Sequence, residues 1–180
     1  KHLLRPVDVN GINKMAGEFY HRLYNNVHGL RACVLRLTNT IGPRMRVRDA
    51  RQTFVGVWVR QLLEGKPIDV FNHGHHRRDF TYVGDIAEGV VRACDRVATG
   101  NPAWDSDAPD PGTSRAPYRL YNIGNNKPVE LLHYIHVLEE CLGRKAQMNL
   151  LPLQAGDVPD TWADIEDLVR DVGYTPATSV

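Results

Sequence analysis

The chain has 180 residues, 22 basic and 21 acidic for a formal charge of +1, with 42% hydrophobic and 24% charged residues. That is the composition of a globular domain long enough to bury a core; it argues against bulk-charge binding to nucleic acid, and no apolar run approaches the roughly 18 residues of a membrane span. No signal peptide is expected, and Cys33, Cys94 and Cys141 are scattered among apolar neighbours, the pattern expected of reduced core thiols in a cytoplasmic protein rather than a disulfide framework or a metal site.

From Asn13 onward Met15, Phe19, Leu23 and Val27, with Ala16 and Tyr20 beside them, recur at helical spacing and predict a helix over residues 9–27, stopped by Gly29. Asn10 and Lys14 stand four apart, one above the other on a single face of that helix. An ammonium at this spacing lowers the pKa of a phenol from near ~10 and makes it a usable base. An amide does not titrate, so Asn10 can hydrogen-bond a hydroxyl without taking its proton. No tyrosine precedes any lysine by four residues elsewhere in the chain.

Residues 31–37, an apolar and β-branched run after a short loop, predict a buried parallel strand that is apolar on both faces. Residues 37–43 follow at its carboxyl end, where open α/β sheets place ligands, and Asn39 is the candidate ligand contact there. A turn asparagine that satisfies its own backbone is the alternative. Arg44, Arg46, Arg48 and Arg51 crowd the next loop, as a solvated basic face does.

Residues 54–66 predict a helix stopped by Gly65, with Pro67 beyond it, and residues 68–71 a short strand. His73, His75 and His76 invite a metal reading, but consecutive side chains diverge and no carboxylate or cysteine stands at ligand spacing, so no metal is expected. Asp85 is the expected N-cap of a helix over 86–94. Residues 99–117, rich in Gly, Pro, Ser and Asp, predict a flexible excursion. A strand over 118–125 and a helix from Pro128 to Leu142, stopped by Gly143, come next.

Several motifs in this order resemble one family. Lys14 sits in a Pro-x-x-x-Tyr-x-x-x-Lys-like helix, Asn39 precedes Gly42-Pro43, and Arg78-Asp79-Phe80-Thr81-Tyr82-Val83 forms one run. Tyr121-Asn122-Ile123-Gly124 and Gly156-Asp157-Val158 complete the series. The chain resembles the extended short-chain dehydrogenase/reductases, the NAD-dependent epimerases and dehydratases of nucleotide sugars. Its ending is most similar to UDP-glucuronate 4-epimerases.

The resemblance implies that residues 1–180 are the C-terminal part of a doubly wound, Rossmann-like α/β sheet together with the smaller substrate-binding region. The glycine-rich half that binds NAD is expected to be absent, since no Gly-x-Gly-x-x-Gly or Gly-x-x-Gly-x-x-Gly loop brings backbone amides to a pyrophosphate. By the same resemblance Lys14 holds the nicotinamide ribose, and Asn10 stands where the family has its catalytic tyrosine. Arg78 reaches a diphosphate and Asp157 a uridine ribose, while Asn39 and Arg46 face the sugar. Gly84 replaces one of two family aspartates, and Gln154 stands where some relatives are basic.

The implied activity is oxidation and re-reduction of a UDP-sugar at C4. A catalytically impaired or non-catalytic sugar-nucleotide-binding fragment, or a 4,6-dehydratase or decarboxylase, is the alternative. The expected partners are a UDP-sugar and further copies of the chain, with neither nucleic acid nor membrane.

Overall fold

The computed structural model describes residues 4–6, 8–47, 53–154 and 156–180; Arg48 and Arg51 of the basic run lie outside them. In chain order the first elements are α1 (Val9–His28), β1 (Ala32–Leu37), β2 (Asn39–Ile41), α2 (Phe54–Glu64) and β3 (Ile68–Val70). They are followed by β4 (Arg77–Arg78), β5 (Phe80–Tyr82), α3 (Val83–Asp95), β6 (Tyr118–Ile123), β7 (Val129–Glu130), α4 (Leu131–Leu142), β8 (Met148–Leu150), β9 (Asp160–Thr161) and α5 (Glu166–Val172).

The helices begin and end where local chemistry satisfies their orphan backbone groups. The Asp8 carboxylate accepts from the Gly11 N–H at 2.6 Å, Thr53 caps α2 through the Gly56 N–H, and α1, α2, α4 and α5 all stop at a left-handed glycine. Buried Asn25 near the end of α1 donates to the carbonyls of Leu30 and Pro117 at 2.6 and 2.5 Å, which ties the helix to the start of β6.

Parallel pairing dominates. β1 runs parallel to β6, β2 to β5 and β3 to β8, while β4 lies between antiparallel β7 and parallel β9. Ala32, Tyr118 and Leu120 form one small core of the β1–β6 pair, and the Arg22 guanidinium of α1 lies 5.5 Å from the centre of the Tyr118 ring. Tyr121 and Ile123 of β6 pack with Ile86 of α3, Leu168 of α5 and Tyr174. The largest core joins Val55, Trp58 and Leu62 of α2 to Ile68, Val70 and Phe80 and to Leu131, Tyr134 and Ile135 of α4. Phe80 stacks on Tyr134 at 4.2 Å. Each fully buried side chain of this kind contributes roughly 1.5–3 kcal/mol.

Three expectations are corrected. β1 is not buried on both faces: only Ala32 is buried and Leu37 is 53% exposed, because among the described residues β6 is its sole strand neighbour. The three cysteines are free but exposed rather than in the core. Asp85 does not cap α3, which begins earlier, at Val83 after Tyr82; its carboxylate instead accepts from the Thr178 N–H at 3.0 Å. Residues 99–117 form the expected irregular excursion, in which Asp110 accepts from the Gly112 N–H and the Thr113 hydroxyl, and Trp104 donates to the Asp110 carbonyl.

Asp79 joins three segments. Fully buried, its carboxylate accepts from the backbone N–H groups of Asn125 (3.2 Å), Asn126 (3.0 Å) and Ala163 (3.2 Å). Gly124 leaves the space for this, since a Cβ there would stand 2.7 Å from Asp79 Oδ2 and 2.8 Å from Thr38 Cγ2.

A second polar knot surrounds Asp171, which accepts from Arg119, from Tyr121 Oη at 3.0 Å and from Arg170 Nε at 2.9 Å. Burial alone would raise the Asp171 pKa, but the bonds from Arg119, Arg170 and Tyr121 outweigh it and hold the carboxyl below its ordinary value. A depressed folded-state pKa gives stability that is fully present above the unfolded value near ~3.9 and is lost as pH falls through the folded one. Asp171→Asn is therefore expected to flatten the loss of urea stability below about pH 4 while lowering stability above it. A parent and variant that lose stability in parallel on acidification would refute this.

Candidate functional site

α2 presents Phe54, Val57, Trp58 and Gln61 to one side, the i, i+3, i+4, i+7 spacing of a single helix face. The Trp58 Nε1–H donates to the Asp69 carbonyl at 3.1 Å, and Phe54 meets the indole edge-on at 5.1 Å, which fixes the aromatic wall. Opposite stand Phe71, His76 and Arg78, with Asn39 at the start of β2 and Gln154 and Asp157 on the loop after β8. Together they enclose a cavity of about 550 Å³.

Arg78 is 8% exposed. Its Nη1 donates to the carbonyls of Arg77 (3.1 Å) and Pro159 (2.7 Å), and its Nη2 to Asp157 Oδ1 at 3.0 Å. Asp157 Oδ1 also accepts from the Val158 N–H at 2.8 Å. Its other oxygen lies 3.6 Å from His76 Nε2, too far for a hydrogen bond, and so retains lone pairs for a ligand. His76 is 3% exposed and its Nε2 has no hydrogen-bond partner; burial first, then the Arg78 charge, lower its pKa against the smaller opposing pull of Asp157 and Asp160. The Gln61 Oε1 atom is likewise buried without a partner.

Three of the residues singled out from the sequence, Asn39, Arg78 and Asp157, thus line one cavity. The other three do not. Lys14 is exposed on α1 and borders a separate groove of about 790 Å³ with Glu18, His21, Arg36 and residues of β1. Asn10, exposed one turn earlier, and Arg46, exposed after β2, line neither space. At the helix start that borders this groove the Gly11 amide is already bonded to Asp8 and so is not free for a pyrophosphate.

Sequence reasoning missed Phe54, Trp58, Gln61 and Asp69, although the helical spacing of the first three marks a shared face. It also missed His76. His73 and His75 are exposed while His76 is buried, so the three diverge. Among the described residues no group of three or more His, Cys, Asp or Glu could hold a metal ion, and no helix is long and apolar enough to cross a membrane.

Residues 2–124 match the family model described as the NAD dependent epimerase/dehydratase family. The chain belongs to this family. It is 38% identical over 175 residues to Protein CapI of Staphylococcus aureus, covering 97% of this chain and 51% of that protein. With UDP-glucuronate 4-epimerase 2 of Arabidopsis thaliana it shares 36% identity over 180 residues, 98% of this chain and 39% of the relative. Among solved structures, UDP-glucuronic acid 4-epimerase from Bacillus cereus, in complex with UDP-glucuronic acid and NAD, superposes with a TM-score of 0.78 at 29% identity, over 98% of this chain and 50% of that one. The mixed α/β fold with its parallel pairs is the Rossmann-like fold of these epimerases. This family member spans about half the length of the relatives it matches.

Proposed function

We propose that this chain is the C-terminal, substrate-binding portion of an NAD-dependent nucleotide-sugar epimerase of the UDP-glucuronate 4-epimerase type. One observation carries the reading: Asn39, Arg78 and Asp157, far apart in sequence, line a single cavity of about 550 Å³. That volume falls in the range of small-molecule sites. Arg78, which lines the cavity with its Nη2 bonded to Asp157, is suited to bond diphosphate oxygens, and the free Asp157 oxygen to accept from vicinal ribose hydroxyls. Asn39 is the candidate contact to the sugar. NAD, when bound, supplies hydride exchange at C4; Lys14 is the residue of this chain nearest in kind to that task, and most of the cofactor contacts belong to residues outside it. The open sides of α1 and β1 support self-association.

The test is binding. Arg78→Lys and Asp157→Ala are each expected to weaken UDP-glucuronate binding by about 1.5–3 kcal/mol, roughly ten- to hundredfold, in calorimetry, because each removes a charged hydrogen bond. Lysine is used at Arg78 so that the cation remains while the fork is lost. If both variants bind as the parent does, the cavity is not the nucleotide-sugar site. A second reading, binding without catalysis, is favoured by the amide at Asn10, which cannot act as a base.

A further inference from the structure

The cavity presents a charge problem. Among the described residues that line it, Arg78 is the sole cation against the two carboxylates of Asp69 and Asp157, and Asp157 already bonds Arg78 at 3.0 Å. Asp69 is turned to Asn149, whose amide donates to it at 3.0 Å. A nucleotide sugar carries two negative charges on its diphosphate, and in a site of reduced dielectric such charges require partners. His76 is the one further lining group that can become positive near neutral pH. Its Nε2 is buried, bonded to nothing, 3.6 Å from Asp157 Oδ2 and beside Arg78 on β4.

The groups around His76 are Arg77 and Arg78 on β4, which it immediately precedes, Asp157 on the loop after β8, Asp160 on β9, which pairs opposite Arg77, and Glu130 on β7, also opposite Arg77. In the ligand-free arrangement burial, and after it the neighbouring guanidinium, lower the imidazole pKa and so disfavour its charged form. An anion that engages Arg78 cancels that repulsion and adds an attractive charge within a few ångströms, which favours the imidazolium.

We propose that His76 takes up a proton when a diphosphate-bearing ligand enters the cavity, and so completes the positive charge that Arg78 alone does not supply. The proton comes from solvent and binds the free Nε2, whose N–H then donates to Asp157 or to the incoming anion. His76 is a positioning residue in this role, and the inference rests on the nucleotide-sugar reading of the same cavity. The affinity for such a ligand then rises as pH falls, by up to about tenfold per pH unit where the free imidazole is neutral and the bound one charged.

UDP-glucose is the probe, because its diphosphate diester does not change charge near neutral pH. Calorimetry at about pH 7 in buffers of different ionisation heat is expected to show uptake of a fraction of one proton per ligand, with affinity rising roughly three- to tenfold from about pH 8 to about pH 6. His76→Gln keeps hydrogen-bonding capacity but cannot titrate, and is expected to bind with neither proton uptake nor that slope. In the parent, the NMR titration of the His76 ring should move to higher pH when UDP-glucose is added, a readout that does not depend on any variant folding. Binding by the parent without proton uptake, a pH slope retained in His76→Gln, or an unmoved ring titration would each overturn the role of His76 and leave the cavity reading standing. Absence of binding at every pH would overturn both.

Discussion

Asp79→Asn is expected to lower the stability of the chain by about 2–4 kcal/mol, since it takes the charge from three hydrogen bonds and leaves at least one buried backbone N–H facing an amide donor. The carboxylate at this place accepts three backbone N–H groups from two distant segments, and both of its oxygens are occupied. An asparagine turned to keep its oxygen toward Asn126 and Ala163 must point its NH₂ at the Asn125 N–H; turned the other way, it faces two. Chemical denaturation with urea reads the effect as a lower midpoint at unchanged slope. A midpoint within error of the parent would mean that the three amides find other acceptors.

The largest kinetic effect is expected at Asn10. In a longer protein that joins this chain to a dinucleotide-binding half, Asn10→Tyr should raise interconversion of UDP-glucuronate and its C4 epimer by about 100- to 10,000-fold, the usual contribution of a positioned general base. Asn10 and Lys14 lie one turn apart on α1, and the Asp8 cap fixes the start of that helix independently of the side chain at residue 10. Asn10 is exposed, so a phenol is accommodated there without a clash in the core. NMR of the sugar anomeric signals follows the reaction. If NAD and UDP-glucuronate both bind and turnover does not rise, the base lies elsewhere.

The long helices were legible because each carries its own information: apolar spacing through α1 and a glycine stop at Gly29, Gly65 or Gly143. Of the strands of two or three residues only β3 was, from its apolar alternation; the others depend on partners far away, as Asn39 of β2 depends on Phe80 and Arg77 of β4 on Asp160. Asp85 misled for a related reason. An aspartate ahead of an apolar run is a sound N-cap signal, but Thr178 competes for its carboxylate and α3 starts two residues before it. Within the site, Arg78 and Asp157 were readable as chemistry, but their mutual contact was not, since it is set by the β4–β9 pairing that brings Pro159 and Asp157 over the guanidinium. His76 was obscured by its neighbours: three similar side chains in four positions gave no sign of which would turn inward.

The carbonyl bonds that hold Arg78 have a thermodynamic consequence. A long cationic side chain carries about 2 kcal/mol of rotamer entropy when it is free to move. With both Nη1 protons directed to the Arg77 and Pro159 carbonyls and Nη2 bonded to Asp157, that freedom is already surrendered on folding, and the guanidinium lines the cavity with no conformational search left to make. Binding an anion there leaves the arginine as ordered as before, so the favourable enthalpy of the new contacts is not offset by side-chain immobilisation. A lysine has no second nitrogen with which to hold both the protein and a ligand, and its ammonium would have to be immobilised anew each time an anion bound.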